Sequence, residues 1–250
     1  DRMLFTPFPN AIGLDMSDLS IKLVQLRNLS RHRRTPSFSL CSARSTNLPH
    51  GLIENGVLEH PEKVRKYIEH IMHAKSRRGR VVHAPWVIAS VPDSQGFLKL
   101  IRINKEPDDI IDEDVGLLAQ KHLPLEPDTY HLDWQIMPKD TPDESDTPVL
   151  IAAIPKSLAD MYTYLLESVS LVPVALELQA LANARALVPA HAAFQATAQA
   201  ILDIGSTHTT LTIYDHDYIQ FSRSLPYSGE MLTQAIAQKT HLAYDEAEEL

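Results

Sequence analysis

Two short stretches carry residue types that can hold phosphate. In "ILDIGSTHTTLTIYDHDYI", Ile201 to Ile219, an apolar run meets Asp203-Ile204-Gly205 and the hydroxyl residues Ser206 and Thr207, and a second alternating run follows. "IGLDMSDLSIKLVQL", Ile12 to Leu26, repeats the pattern with Asp15, Ser17, Ser20 and Lys22. A tight turn with glycine and small hydroxyl residues exposes backbone N–H groups to phosphate oxygens, and a carboxylate there can orient hydrated Mg²⁺. Lys22, just past the first turn, adds a positive charge. Aligned on the aspartates, Asp15-Met16-Ser17-Asp18 matches Asp203-Ile204-Gly205-Ser206. Taken singly, such a turn is more often an ordinary hairpin; its recurrence argues for two related halves of one protein.

The elements that must position these turns are legible from periodicity. Ile21, Leu23 and Val24 follow the first turn as a strand, and "FSLCSARS", Phe38 to Ser45, alternates as its neighbour. Asn55-Gly56 predicts a hairpin, and His60-Pro61 opens a helix with Val64, Tyr67, Ile68, Ile71 and Met72 on one face. The basic run Lys75 to Arg80 closes that helix, where cations suit the dipole, and "WVIASVP", Trp86 to Pro92, returns as a buried strand. Residues 93 to 172 read as a βαββα unit, with a polar loop from Pro138 to Pro148 expected to be exposed and mobile. "VPVALELQALANARAL" is a strand running into a helix, and the final stretch is helical with Leu232, Ala235 and Ile236 spaced for one buried face.

Composition narrows the function. The 250 residues, 44% of them hydrophobic, can bury a sizeable core and divide into more than one unit. A net charge of −9 argues against nucleic acid as a partner. The single Cys41, read as a small buried strand residue, excludes an intrachain disulfide and suits a reducing compartment. No apolar run reaches the roughly 18 residues a membrane helix needs. The opening Asp1-Arg2-Met3 and the closing helix-like "YDEAEEL" suggest a fragment of a longer protein. The histidines show no metal-ligand spacing, Asp215-His216-Asp217 reads as a turn, and no G-x-S-x-G elbow supports a serine nucleophile.

The order and spacing of these segments resemble the actin-like ATPases of the FtsA type, and within them the PilM family of type IV pilus assembly proteins. "GLDMSDLSIKLVQL" is similar to that family's first phosphate loop, and "LDIGSTHTTLTIYDHDYIQFSRSLPYSGEMLTQAIAQ" to its second loop and the helix after it. "SARSTNLPHGLIENGVLEHPEKV" and "HLPLEPDTYHLDWQIM" resemble its segment after the early strands and its inserted subdomain. The resemblance implies an α/β, RNase H-like fold of two lobes with ATP and Mg²⁺ between them. Subdomain 1A would comprise residues 9–91 and 173–197, the inserted 1C residues 92–172, and an incomplete 2A residues 198–250. Carried over by position, Asp15, Ser17, Ser20 and Lys22 belong to the first loop, and Asp203, Gly205, Ser206 and Thr207 to the second. Gly229 matches the glycine ahead of the next helix, and Asp15 and Asp203 would reach the metal through water.

The resemblance further implies a cytoplasmic protein, peripheral to the inner membrane, that captures the N-terminal tail of the membrane protein PilN near the "WVIASVP" strand and the start of "FLKLIRI". Self-association through 1C is the bland alternative for that subdomain. The first turn departs from the pattern: Ser17 and Asp18 stand where the family has Gly and a hydroxyl residue, which narrows backbone approach and adds negative charge. That departure keeps open a nucleotide-independent interaction protein like the GspL cytoplasmic domain; an FtsA-like cell-division protein is a third option. No general base is identifiable, so any ATP turnover is expected to be slow.

Overall fold

A computed structural model describes residues 8, 10–29, 37–74, 82, 84–122, 126, 128–139, 145–188 and 198–249. The basic run 75–80, the loop segment 140–144, residues 1–7 and residues 189–197 lie outside them. The first elements are strands β1 (Ile12–Ser17), β2 (Ser20–Asn28), β3 (Phe38–Asn47), β4 (Ile53–Glu54) and β5 (Val57–Leu58), then helix α1 (Pro61–His73) and strand β6 (Trp86–Val91). Next come β7 (Phe97–Ile103), α2 (Asp112–His122), β8 (Tyr130–Ile136), β9 (Thr147–Pro155), α3 (Lys156–Ser168), β10 (Val172–Leu178) and α4 (Gln179–Leu187). The chain continues through β11 (Gln199–Ile204), β12 (Thr209–Asp215), β13 (Tyr218–Leu225), α5 (Gly229–Thr240) and α6 (Tyr244–Glu248). Two compact units result, Asp1–Pro92 with Ser157–Glu177 and Asp93–Lys156 with Leu178–Leu250.

The first unit is built on a five-stranded sheet in the order β10-β6-β1-β2-β3. β1 and β2 pair antiparallel, so that Asp15 lies opposite Lys22 and Ser17 opposite Ser20, while β1 and β6 run parallel. Alternation puts Ile12, Leu14, Met16, Ile21, Leu23, Val87, Ala89 and Val91 in the core. Each of these side chains larger than alanine gains about 1.5–3 kcal/mol on leaving water. α1 starts at Pro61, whose fixed φ and missing N–H suit the first helical position, and buries Val64, Ile68 and Ile71. Arg44 of β3 donates to the α1 carbonyls of Ile71 and Met72, each at 2.7 Å, which closes the C-terminal end of that helix onto the sheet.

In the second unit β7, β9 and β8 form an antiparallel sheet in that order, and α2 covers it by packing Val115 and Ala119 against Ile101, Ile103, Val149 and Ile151. β9 is buried on both faces, from Thr147 to Ile151, which is why it reads as a continuous apolar run. β11, β12 and β13 make an antiparallel meander, and α4 packs on it through Ala180 and Ala184 against Ile219. Tyr218 joins the two sheets of this unit by packing with Met137 and Leu150.

Two readings of the sequence differ from what is observed. Helix α3, counted above with the inserted βαββα unit, belongs from Ser157 onward to the first unit, where Leu158, Ala159, Tyr162, Leu165 and Leu166 are buried. A 3.6-residue apolar stripe predicts a helix but does not say which sheet it covers. The expected buried face of α5 is open: Met231 and Leu232 are exposed, and no residue of this helix is buried. Cys41, expected to be buried, is half-buried.

Candidate functional site

The first turn is a two-residue hairpin, Asp18-Leu19, between Ser17 and Ser20. The Ser17 hydroxyl bonds the Ser20 carbonyl at 3.1 Å and the Ser20 hydroxyl at 2.9 Å, so both serines are engaged across the hairpin itself. Asp15 accepts from the Ser90 hydroxyl of β6 at 2.5 Å through one carboxylate oxygen. The other lies 3.5 Å from the Lys22 ammonium, the cross-strand partner set by the register. The Lys22 side chain is 58% exposed, so the pair is solvated and exchangeable.

Asp18 is a surprise. Its charge, which the sequence places near a triphosphate, is buried at 8% exposure and accepts the backbone N–H groups of Asn55 and Gly56 at 3.1 and 3.0 Å. These are the central residues of the β4–β5 turn, and both have positive φ, at 51° and 80°. A type I′ turn needs that conformation, and it points two successive N–H groups the same way, here onto the Asp18 carboxylate. The Gly56 carbonyl in turn accepts the hydroxyl of fully buried Tyr162 of α3 at 2.9 Å. Burial first, then the Asp18 and Asp15 charges, hold the Tyr162 phenol above its ordinary range, so it stays a donor. Of this constellation the sequence showed the Asn55-Gly56 turn; the tie to Asp18 joins residues 37 positions apart and left no local trace.

The second turn is built more openly. The Gly205 N–H donates to the His208 carbonyl at 2.8 Å, closing the β11–β12 hairpin around Ser206-Thr207. A Cβ at residue 205 would stand 2.7 Å from that carbonyl oxygen, so glycine is required for the hairpin to close. Helix α5 then fixes the turn from one side. The Gly229 N–H donates to the Gly205 carbonyl at 2.9 Å and the Glu230 N–H to the Ser206 carbonyl at 3.0 Å. Ser228 caps the next amide, accepting from the Met231 N–H at 3.3 Å. These are orphan donors of a helix N-terminus, here spent on the turn. In a trans peptide the C=O and the following N–H point in opposite directions, so the Ser206 and Thr207 N–H groups face together away from α5. Two successive N–H groups aimed alike make an anion cradle. The Thr207 hydroxyl bonds the His208 ring at 2.9 Å.

Asp203 is the next-to-last residue of β11, two positions before Gly205. It is exposed and accepts from the Asn183 side-chain amide of α4 at 2.7 Å. Beside it stands a residue the sequence reading passed over. Asp93 accepts from the Ala180 N–H at 3.0 Å, and its other carboxylate oxygen is buried with no hydrogen-bond partner among the described residues. Burial foremost, with the Asp203 charge added, raises the Asp93 carboxyl to about 6 against the opposing pull of the Ala180 N–H and the Thr210 hydroxyl. Its only sequence mark is an Asp between a buried strand and a Ser-Gln-Gly turn, which is too common to single it out.

Residues 13–250 match the family model for type IV pilus assembly protein PilM. The chain belongs to the PilM family. A solved PilM–PilN type IV pilus biogenesis complex aligns with a TM-score of 0.79 at 24% identity, over 97% of this chain and 69% of that one. The ethanolamine utilization protein EutJ of Carboxydothermus hydrogenoformans aligns with a TM-score of 0.56 at 14% identity, over 98% of this chain and 61% of its own. The fold of this PilM-family chain is therefore the actin-like ATPase fold, with mixed α/β sheets. Its two candidate turns occur one in each compact unit. Gly205, Ser206, Thr207 and Gly229 come together in the second, Asp15, Ser17, Ser20 and Lys22 in the first. Among the described residues no group of three or more His, Cys, Asp or Glu side chains is arranged to hold a bare metal ion. Asp15 and Asp203 each present a single carboxylate, the donor set of a metal that keeps most of its water.

Proposed function

We propose that this chain is a nucleotide-binding scaffold of type IV pilus assembly, which holds ATP with Mg²⁺ at its glycine turn and captures the N-terminal tail of a PilN-like membrane protein. The observation that carries the pilus role is the match of residues 13–250 to the PilM family. The nucleotide part is supported by the Gly205 turn, whose amides are set by α5 in the arrangement an anion needs. In the other unit, Lys22 has a solvated pair with Asp15 that it can exchange for a phosphate; at the Gly205 turn Asp203 would orient the hydrated metal. The metal bound there would supply charge neutralisation of the phosphates. Partner capture is supported by the likeness to the solved PilM–PilN complex. With such a partner the protein would work in the cytoplasm, peripheral to the inner membrane. Among the described residues no helix is long and apolar enough to cross a membrane.

A second reading is favoured by one observation. Asp15 and Lys22 neutralise each other, and Asp18 is locked to the β4–β5 turn, so the first turn is satisfied without a ligand. On that reading the chain is a nucleotide-independent adaptor. Titrating Mg·ATP and, separately, a peptide of the first residues of the host's PilN separates the two: the scaffold binds both, the adaptor only the peptide.

A further inference from the structure

We infer that Asp93 is a positioning residue for Asp203, acting through helix α4. The inference rests on the nucleotide-scaffold reading for its consequence, since Asp203 matters there as the carboxylate beside the phosphate turn. Its geometry stands by itself.

α4 begins without a cap of its own. Leu178 occupies the N-cap position and offers no side-chain acceptor to the first turn of the helix. Asp93, 87 residues earlier in the chain, supplies the missing acceptor at Ala180, the second residue of the helix. Asn183 follows Ala180 by three positions, so both lie on the same helix face. Its amide donates to Asp203 at 2.7 Å. Thr210 is the residue paired with Asp203 across the β11–β12 ladder. The carboxylate of Asp203 is thus held by a group that Asp93 fixes, Asn183 through α4. Glycine at 96 lets the segment after Asp93 pass close beneath Leu178, where a Cβ would stand 2.3 Å from its Cδ2. That contact keeps the Asp93 segment against the start of α4.

The test uses the full chain as wild type, Asp93→Ala, Asp93→Asn, Asn183→Ala and Asp93→Ala/Asn183→Ala. Without nucleotide, the Asn183 side-chain amide is observed by nitrogen-15 NMR. Asp93→Ala should shift it toward a free amide and speed exchange of the first-turn amides of α4 about fivefold, the usual effect of losing a helix cap. Asp93→Asn, which keeps an acceptor for Ala180, should leave both near wild type. An unchanged Asn183 amide in Asp93→Ala overturns the inference whether or not nucleotide binds. With Mg·ATP, Asp93→Ala and Asn183→Ala should each weaken binding about fivefold, and the double variant should be no weaker than either, because both act on one contact. Additive losses overturn the route through α4. Absence of Mg·ATP binding to the wild type counts against the scaffold reading, while the amide measurement still decides the role of Asp93.

Discussion

Gly229 donates its backbone N–H to the carbonyl of Gly205 at 2.9 Å, and the two glycines differ in what they tolerate. A Cβ on Gly205 meets the His208 carbonyl oxygen at 2.7 Å, below any ordinary contact, whereas a Cβ on Gly229 finds its nearest atoms at 3.5 Å and beyond. Gly205→Ala should therefore open the hairpin, costing about 1–3 kcal/mol of stability, the range for a strained site. Gly229→Ala should fold within about 0.5 kcal/mol of wild type. Urea unfolding of both variants checks the contrast. Equal losses would show that the two positions are constrained alike. A bulkier Gly205→Val substitution would break the turn itself and is not a clean block of phosphate.

Asp93→Asn should change how stability depends on pH. The folded carboxyl titrates at about 6 against an ordinary 3.8, so the folded state binds this proton more tightly than the unfolded one. The resulting contribution is fully present below about pH 4 and is lost as pH rises through about 6. Asparagine removes that loss. The variant should match wild type near pH 4 and exceed it at pH 7 by on the order of 2 kcal/mol. Thermal unfolding at the two pH values is sufficient; a variant less stable than wild type at pH 7 contradicts it.

Gly56 sits at φ +80°, and a Cβ there would lie 2.5 Å from Cγ of Pro92. Both the left-handed backbone and the proline ring oppose any side chain, so Gly56→Ala should destabilise by more than about 1 kcal/mol. Tyr162→Phe leaves the Gly56 carbonyl unsatisfied in the core and should cost about 1–3 kcal/mol. Calorimetric unfolding of each reads the losses, and a near-neutral Tyr162→Phe would mean that water reaches that carbonyl.

The sequence carried the strands, the helices and the two turns because each is encoded locally, by alternation, by Pro61 at a helix start, or by Asn55-Gly56 at a hairpin. It also carried the family, since those segments keep their order from Gly13 to the last helix. What stayed hidden depends on residues distant in the chain. Asp18 looked like a charge beside phosphates because nothing near it names Asn55 and Gly56 as its partners. Asp93 and Asn183 were invisible for the same reason: one caps a helix it does not belong to, and the other meets Asp203 only after α4 has packed. The reading that α3 goes with the inserted strands failed where periodicity is silent, in the choice of partner.

Lys22→Ala separates stability from binding. Its pair with Asp15 is solvated, so removal should change stability by no more than about 1 kcal/mol. If Lys22 serves phosphate, the same variant should lose about tenfold in Mg·ATP affinity, the order of one charge-assisted hydrogen bond of about 1.5 kcal/mol. An affinity equal to wild type would leave Lys22 as the structural partner of Asp15 alone.

Calorimetric titration of Mg·ATP into the full chain, with and without EDTA, tests the central claim most directly. The account predicts saturable binding at one site per chain, with a Kd below about 1 mM, corresponding to roughly −4 kcal/mol, and loss of most of that affinity when the metal is removed. No saturable binding of Mg·ATP by a chain that still binds the PilN peptide would contradict it and leave the adaptor reading in its place.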